Sequence, residues 1–148
     1  MSSGISNVPG IEIDAVTRWL EANVDGARGP FTFDVIAGGH SNLTYRVDGQ
    51  GPERYVLRRP PLGHVLASAH DMGREHRILA GLQTSNVPVP PVCGFCDDPA
   101  VNGAPFYVMG YVEGHVLRDR DSAVAVLDEE ARRNASRSLV DTMAKIHA

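Results

Sequence analysis

Several groups of residues in the 148-residue chain have types and spacings that can do chemistry. Gly38-Gly39-His40-Ser41-Asn42 sets two glycines beside three polar side chains. Glycines let a backbone approach phosphate oxygens and leave N–H groups to meet them, and Ser41 and Asn42 can add side-chain donors. The same run also reads as an ordinary Gly-Gly hairpin turn, with His40 exposed. Arg58 and Arg59 follow Tyr55-Val56-Leu57. An arginine is always charged and can grip phosphate through two N–H groups, or it can sit solvated on an edge strand. Glu75, in Arg74-Glu75-His76-Arg77, can serve a distant cation or trade weak contacts with neighbouring arginines on its own helix. Cys93 and Cys96 form a C-x-x-C. Zinc would need two more ligands, and a redox pair normally precedes a helix. Here the pair lies in a strand whose alternation would face the thiols opposite ways, so coincidence is the expectation. Asp119 and Asp121 resemble a metal pair but read as the acidic start of a helix, favoured by its dipole.

The elements that must position these groups can be read from periodicity. Residues 1–10 are small and polar and read as a loose arm. Ile13, Val16, Leu20 and Val24 repeat at helical spacing, and Gly26, Gly29 and Pro30 stop that helix. Residues 31–36, 43–47 and 54–58 alternate and are rich in β-branched and aromatic side chains, which predicts a three-stranded meander turning through Asp48-Gly49-Gln50-Gly51. Pro60 and Pro61 break the sheet. Residues 67–83 return to a helical pattern with an apolar stripe at Ile78, Leu79 and Leu82. Residues 92–97 and 105–111 predict a second hairpin, turning through 98–103. From Ser122 a single long helix is expected, capped by Asp121 or Ser122, with Leu139, Met143 and Ile146 on one face; His147 reads as a helix-end residue. The order predicts an α+β domain with a five-stranded antiparallel sheet.

Composition narrows the function classes. The net charge is −4, with 43% hydrophobic and 22% charged residues, as in soluble globular proteins. Mild acidity argues against a nucleic-acid partner. No apolar run approaches the roughly 18 residues that span a bilayer, so no membrane partner is expected. The N-terminus lacks a basic start and an apolar core, so no secretory signal is expected, and with two cysteines the expected location is cytoplasmic.

The order of elements, and the residues at particular places, resemble the aminoglycoside phosphotransferase family, in the branch whose kinase-like domain is also found fused to acyl-CoA dehydrogenases. The resemblance runs from about Asp34 to His147. It is carried by the 38–42 turn, by Tyr55-Val56-Leu57-Arg58, by Arg74-Glu75-His76-Arg77-Ile78-Leu79 and by Phe106-Tyr107-Val108-Met109-Gly110-Tyr111-Val112-Glu113-Gly114. It implies a kinase-like N-terminal lobe: an N-terminal helix, the sheet, a helix packed on it and a C-terminal helix. It further implies that Gly38, Gly39, His40, Ser41 and Asn42 meet nucleotide phosphates. Arg58 stands where relatives of the fold carry a strand-three lysine, held by Glu75, with Arg59 as a fallback. Met109 backs an adenine pocket, the Gly110 carbonyl and Val112 N–H pair with the adenine edge, and Gly114 lets the hinge turn.

The implied cofactors are ATP and Mg²⁺, with the metal ligands in a second lobe. No H-x-D-x-x-x-x-N and no D-F-G-like segment exists here. The expected organisation is a flexible arm at 1–10, the lobe at 11–111, a hinge at 112–121 and the first helix of a missing lobe at 122–148. The implied function is ATP-dependent phosphoryl transfer to a hydroxyl of a small substrate. Aminoglycosides, other hydroxylated metabolites and hydroxyacyl thioesters are the acceptor classes among relatives. No catalytic residue lies in this chain, which alone is expected to be inactive and to self-associate through its exposed last helix. The alternatives are a non-catalytic nucleotide-binding or regulatory module, which the arginine in place of lysine favours, and a small thiol or metal protein built on Cys93 and Cys96.

Overall fold

In a computed structural model of the chain, the described residues are 8–37, 42–63 and 70–148. Helix α1 (Ile13–Asn23) leads into strands β1 (Thr32–Ala37), β2 (Leu43–Asp48) and β3 (Arg54–Arg59). Helix α2 (Met72–Leu82) follows, then β4 (Val92–Cys96), a short helix α3 (Pro99–Asn102), β5 (Phe106–Gly110), α4 (Arg120–Val126) and α5 (Glu129–His147). The five strands form one sheet in the order β1-β2-β3-β5-β4, every pairing antiparallel. This is the expected α+β architecture.

Strand alternation gives the sheet two different faces. One carries Phe33, Tyr45, Val47, Tyr55, Leu57, Phe106 and Val108, and it packs on Val16, Leu20 and Val24 of the α1 segment to make the core. Trp19 of α1 meets Phe106 edge-on, ring centroids 4.9 Å apart, the favourable geometry for two aromatic quadrupoles. The other face carries Thr44, Val56, Arg58, Tyr107 and Met109, paired across β2, β3 and β5, and α2 lies over part of it.

Four expectations about helices need correction. Residues 98–103 do not simply turn. Asp98 caps α3 through Ala100 N–H, Pro99 opens the helix, and Gly103 closes it at φ +72°. Proline at a helix start and glycine just past its end are each suited to those positions. The long C-terminal helix is two helices. Leu127 leaves the helical conformation, and Asp128 caps a fresh start by accepting from Ala131 N–H. Asp119, rather than Asp121 or Ser122, caps α4, in a reciprocal box with Ser122. Lastly, the apolar stripe of α2 is not buried. Met72 is the buried residue of that helix, whereas Ile78 is 56% exposed, because α2 touches the sheet with its first turns and leaves its later apolar residues lining an open cleft.

Candidate functional site

β3 lies between β2 and β5, so its side chains meet neighbours on both sides. Arg58 faces the α2 side, registered between Thr44 and Tyr107. The Asp71 cap fixes the start of α2 by accepting from Arg74 N–H, which places Glu75 one turn in, over the sheet. There Arg58 Nε donates to Glu75 Oε2 at 2.9 Å. Each side chain of the pair is 30% exposed, so solvent screens it only in part.

Glu75 has further partners. Tyr107 donates its hydroxyl to Oε2 at 3.0 Å, and Asn42 Nδ2 donates to Oε1 at 2.8 Å. Asn42 Oδ1 in turn accepts from His70 Nδ1 at 2.7 Å, which requires a proton on that nitrogen. Arg58 Nη1 donates to Thr44 Oγ1 at 3.1 Å. Burial, with the Glu75 carboxylate alongside, pushes the Tyr107 phenol well above its ordinary pKa, so its hydroxyl stays a donor throughout the physiological range. Of the predicted phosphate turn, Gly38, Gly39, His40 and Ser41 lie outside the described residues. Asn42 is buried, and its amide is engaged by Glu75 and His70.

Arg59 is on the opposite face, as alternation demands. It is 6% exposed. Its Nη1 donates to the carbonyls of Gly10 at 2.6 Å and Asn102 at 3.2 Å, and its Nε to that of Pro60. Arg59 ties the N-terminal segment and α3 to the sheet and does not share the cleft with Arg58.

Next to the Arg58–Glu75 pair the sheet opens into a cleft of ≈360 Å³, lined by Arg58, Glu75, Ile78, Leu79, Pro90, Tyr107 and Met109. One end is charged and the rest is apolar, a form suited to a ligand with an anionic and a flat apolar part. Beyond Met109 the Gly110 N–H donates to Pro91 O at 2.8 Å and Tyr111 N–H to Arg54 O at 3.0 Å. A Cβ on Gly110 would stand 2.6 Å from Pro91 Cγ, so this crossing admits only glycine. Val112 is 64% exposed, and among the described residues no hydrogen bond uses its N–H. A roomier cleft of ≈520 Å³ lies beside the α2 N-terminus, bounded by Pro60, Phe95 and Pro105, and touches neither Arg58 nor Glu75.

Sequence reasoning brought Arg58, Glu75 and Met109 to one place. It missed Tyr107 as a partner of Glu75, along with Thr44, His70 and Pro90. For Tyr107 a signal was present: it alternates with Phe106 and Val108, and so must share a face with Met109. The cysteines depart from expectation. A bulge between Val92 and Gly94 interrupts the alternation of β4, so Cys93 and Cys96 both pack against the core rather than on opposite faces. Both thiols are free, and burial raises the pKa of each. Among the described residues no group of three or more His, Cys, Asp or Glu side chains could hold a metal ion, Asp119 and Asp121 included.

Comparison with known proteins bears on this arrangement. Residues 32–148 match the model of the phosphotransferase enzyme family, APH. A relative in Arabidopsis thaliana, "Probable acyl-CoA dehydrogenase IBR3", is 37% identical over 142 residues, covering 91% of this chain and 17% of its own length. Acyl-CoA dehydrogenase family member 11 of Gallus gallus is 37% identical over 112 residues, covering 74% of this chain and 14% of its own. A solved structure described as a "putative aminoglycoside phosphotransferase" from Ralstonia eutropha superposes with a TM-score of 0.60 at 31% identity, over 72% of this chain and 29% of that one. The chain thus spans under a fifth of the length of these curated relatives.

Proposed function

The chain belongs to the phosphotransferase enzyme family, and on that premise we propose that it is the nucleotide-facing lobe of an ATP-dependent kinase acting on a hydroxyl of a small substrate. The observation that carries this reading is the Arg58–Glu75 pair, 2.9 Å apart at the charged end of an otherwise apolar cleft. Phosphoryl transfer depends on positioning and charge stabilisation more than on covalent steps by the protein. Each part of the cleft has a use in that chemistry. Glu75 fixes Arg58, whose remaining N–H groups meet phosphate oxygens. Met109, Leu79 and Pro90 offer an apolar slot for a base. The Gly110 carbonyl and the exposed Val112 N–H supply its hydrogen-bonding edge.

Mg²⁺ does not fit the described residues, which contain no cluster able to ligate it. The residues that deprotonate the acceptor and hold the metal belong, on this reading, to chain beyond the lobe, consistent with the small share of each relative that is matched. The acceptor is a hydroxylated small molecule selected by that further part.

Titration calorimetry with ATP tests the reading. The expected outcome is weak binding by the 148-residue chain, weakened about tenfold more in Arg58→Ala, as for loss of a charge-assisted contact, and no transfer of phosphate to any acceptor. Unchanged affinity in Arg58→Ala would remove Arg58 from the phosphate site. Arginine in place of the usual lysine also suits a binding module without catalysis. The longer protein would then bind ATP and transfer nothing.

A further inference from the structure

The Glu75 carboxylate is shared in a way that determines what Arg58 has left to offer. An arginine and a carboxylate left to themselves favour a two-pronged pairing that consumes two N–H groups. Here only Arg58 Nε reaches Glu75. Oε2 is shared with the Tyr107 hydroxyl, and Oε1 is taken by Asn42 Nδ2. Arg58 Nη1 is turned to Thr44 Oγ1. A guanidinium has five N–H donors, and these two contacts use one each on Nε and Nη1.

We propose that Tyr107 and Asn42 are positioning residues that hold Glu75 to a single-point grip on Arg58, keeping the rest of the guanidinium turned to the cleft for an anionic ligand. Their burial suits that role, because Tyr107 is 3% and Asn42 5% exposed, so neither is free to swing to water. Tyr107 is registered directly opposite Arg58 across β3 and β5, which fixes its hydroxyl relative to the strand that carries the cation. Asn42 is held from behind by His70 Nδ1. Remove the Tyr107 hydroxyl or the Asn42 amide, and Glu75 is free to rotate into the two-pronged pairing, taking a donor away from the cleft. The proposal rests on the reading of Arg58 as a phosphate ligand.

The test is a double-mutant cycle on binding of a nonhydrolysable ATP analogue, with an NMR readout that needs no nucleotide. Tyr107→Phe is expected to raise Kd about fivefold in the wild-type background and to do nothing in Arg58→Ala, since coupled residues are non-additive. Equal losses in both backgrounds, or no loss in either, would overturn the proposal. In the free protein an Arg58 Nη–H left to the cleft should exchange fast with solvent in the wild type and several times more slowly in Tyr107→Phe, where the two-pronged pairing takes it up. Identical exchange would likewise overturn it. Should the wild type bind no nucleotide, the kinase reading fails while the exchange rates still decide whether Tyr107 positions Arg58. Asn42→Ala carries the same test if Tyr107→Phe does not fold, as judged by its thermal transition.

Discussion

Arg58 and Arg59 are neighbours on one strand with opposite fates. Arg58 looks into a cleft, is paired with a carboxylate from α2, and is also bonded to Thr44 of β2. Arg59 looks into the packed side of the sheet and is held by backbone carbonyls alone among the described residues. Burial lowers the Arg59 pKa, yet its carbonyl ligands meet the charge where water cannot. The difference shows how a two-residue repeat divides labour across a sheet: the same side chain serves as a structural tie on the closed face and as a presented charge on the open one.

That contrast can be broken or sharpened by substitution. The largest effect is expected on the closed face. Leu20 is fully buried against the sheet, and Leu20→Ala should cost about 4 kcal/mol in chemical denaturation. Arg59→Leu removes a donor from three carbonyls, of which Gly10 O keeps Asn102 Nδ2, and should cost about 3 kcal/mol, with nucleotide affinity unaltered once the protein is folded. Arg58→Ala should cost under about 1 kcal/mol, since a pair this close to solvent contributes little to stability. Were Arg58→Ala as destabilising as Arg59→Leu, the division between the faces would be wrong.

Smaller effects bear on the edges of the comparison. With both thiols raised by burial, alkylation at neutral pH should be slow, and the half-buried Cys93 should react before the buried Cys96. Fast reaction of Cys96, followed by mass spectrometry, would place it away from the core. Smallest of all, Ser122 N–H and hydroxyl hold the Asp119 carboxyl below its ordinary pKa of 3.8. Its capping contribution is therefore full above that value and lost only as pH falls through the lower folded one. Helicity followed by circular dichroism should lose the α4 signal only below about pH 4, and Asp119→Ala should abolish that acid step.

Much of the fold was legible because its signals are local. Alternation located all five strands within a residue or so, and the β3 and α2 fragments named both members of the Arg58–Glu75 pair. The break at Leu127 was missed although Asp128 followed by Glu129 and Glu130 has the composition of a helix start. The helix α3 was missed because Asp-Pro opens turns and helices alike. What stayed hidden is non-local. Asn42 reaches Glu75 across 33 residues and Tyr107 reaches it across 32; alternation gives the face of Tyr107 but not its partner, and nothing near Asn42 announces Glu75. The β4 bulge is also unreadable from composition, and it changed which way Cys93 points.

One node carries a consequence for how the chain comes together. The Asn102 side chain accepts from Glu12 N–H and donates to Gly10 O, and the Asn102 carbonyl receives Arg59. The first of these contacts closes a sequence separation of 90 residues. Closing so long a loop carries an entropy penalty that short hairpins do not, so the β1-β2-β3 meander can form before the Asn102 node does. The node fastens the N-terminal segment, α3 and the sheet to one another only when all three are in place.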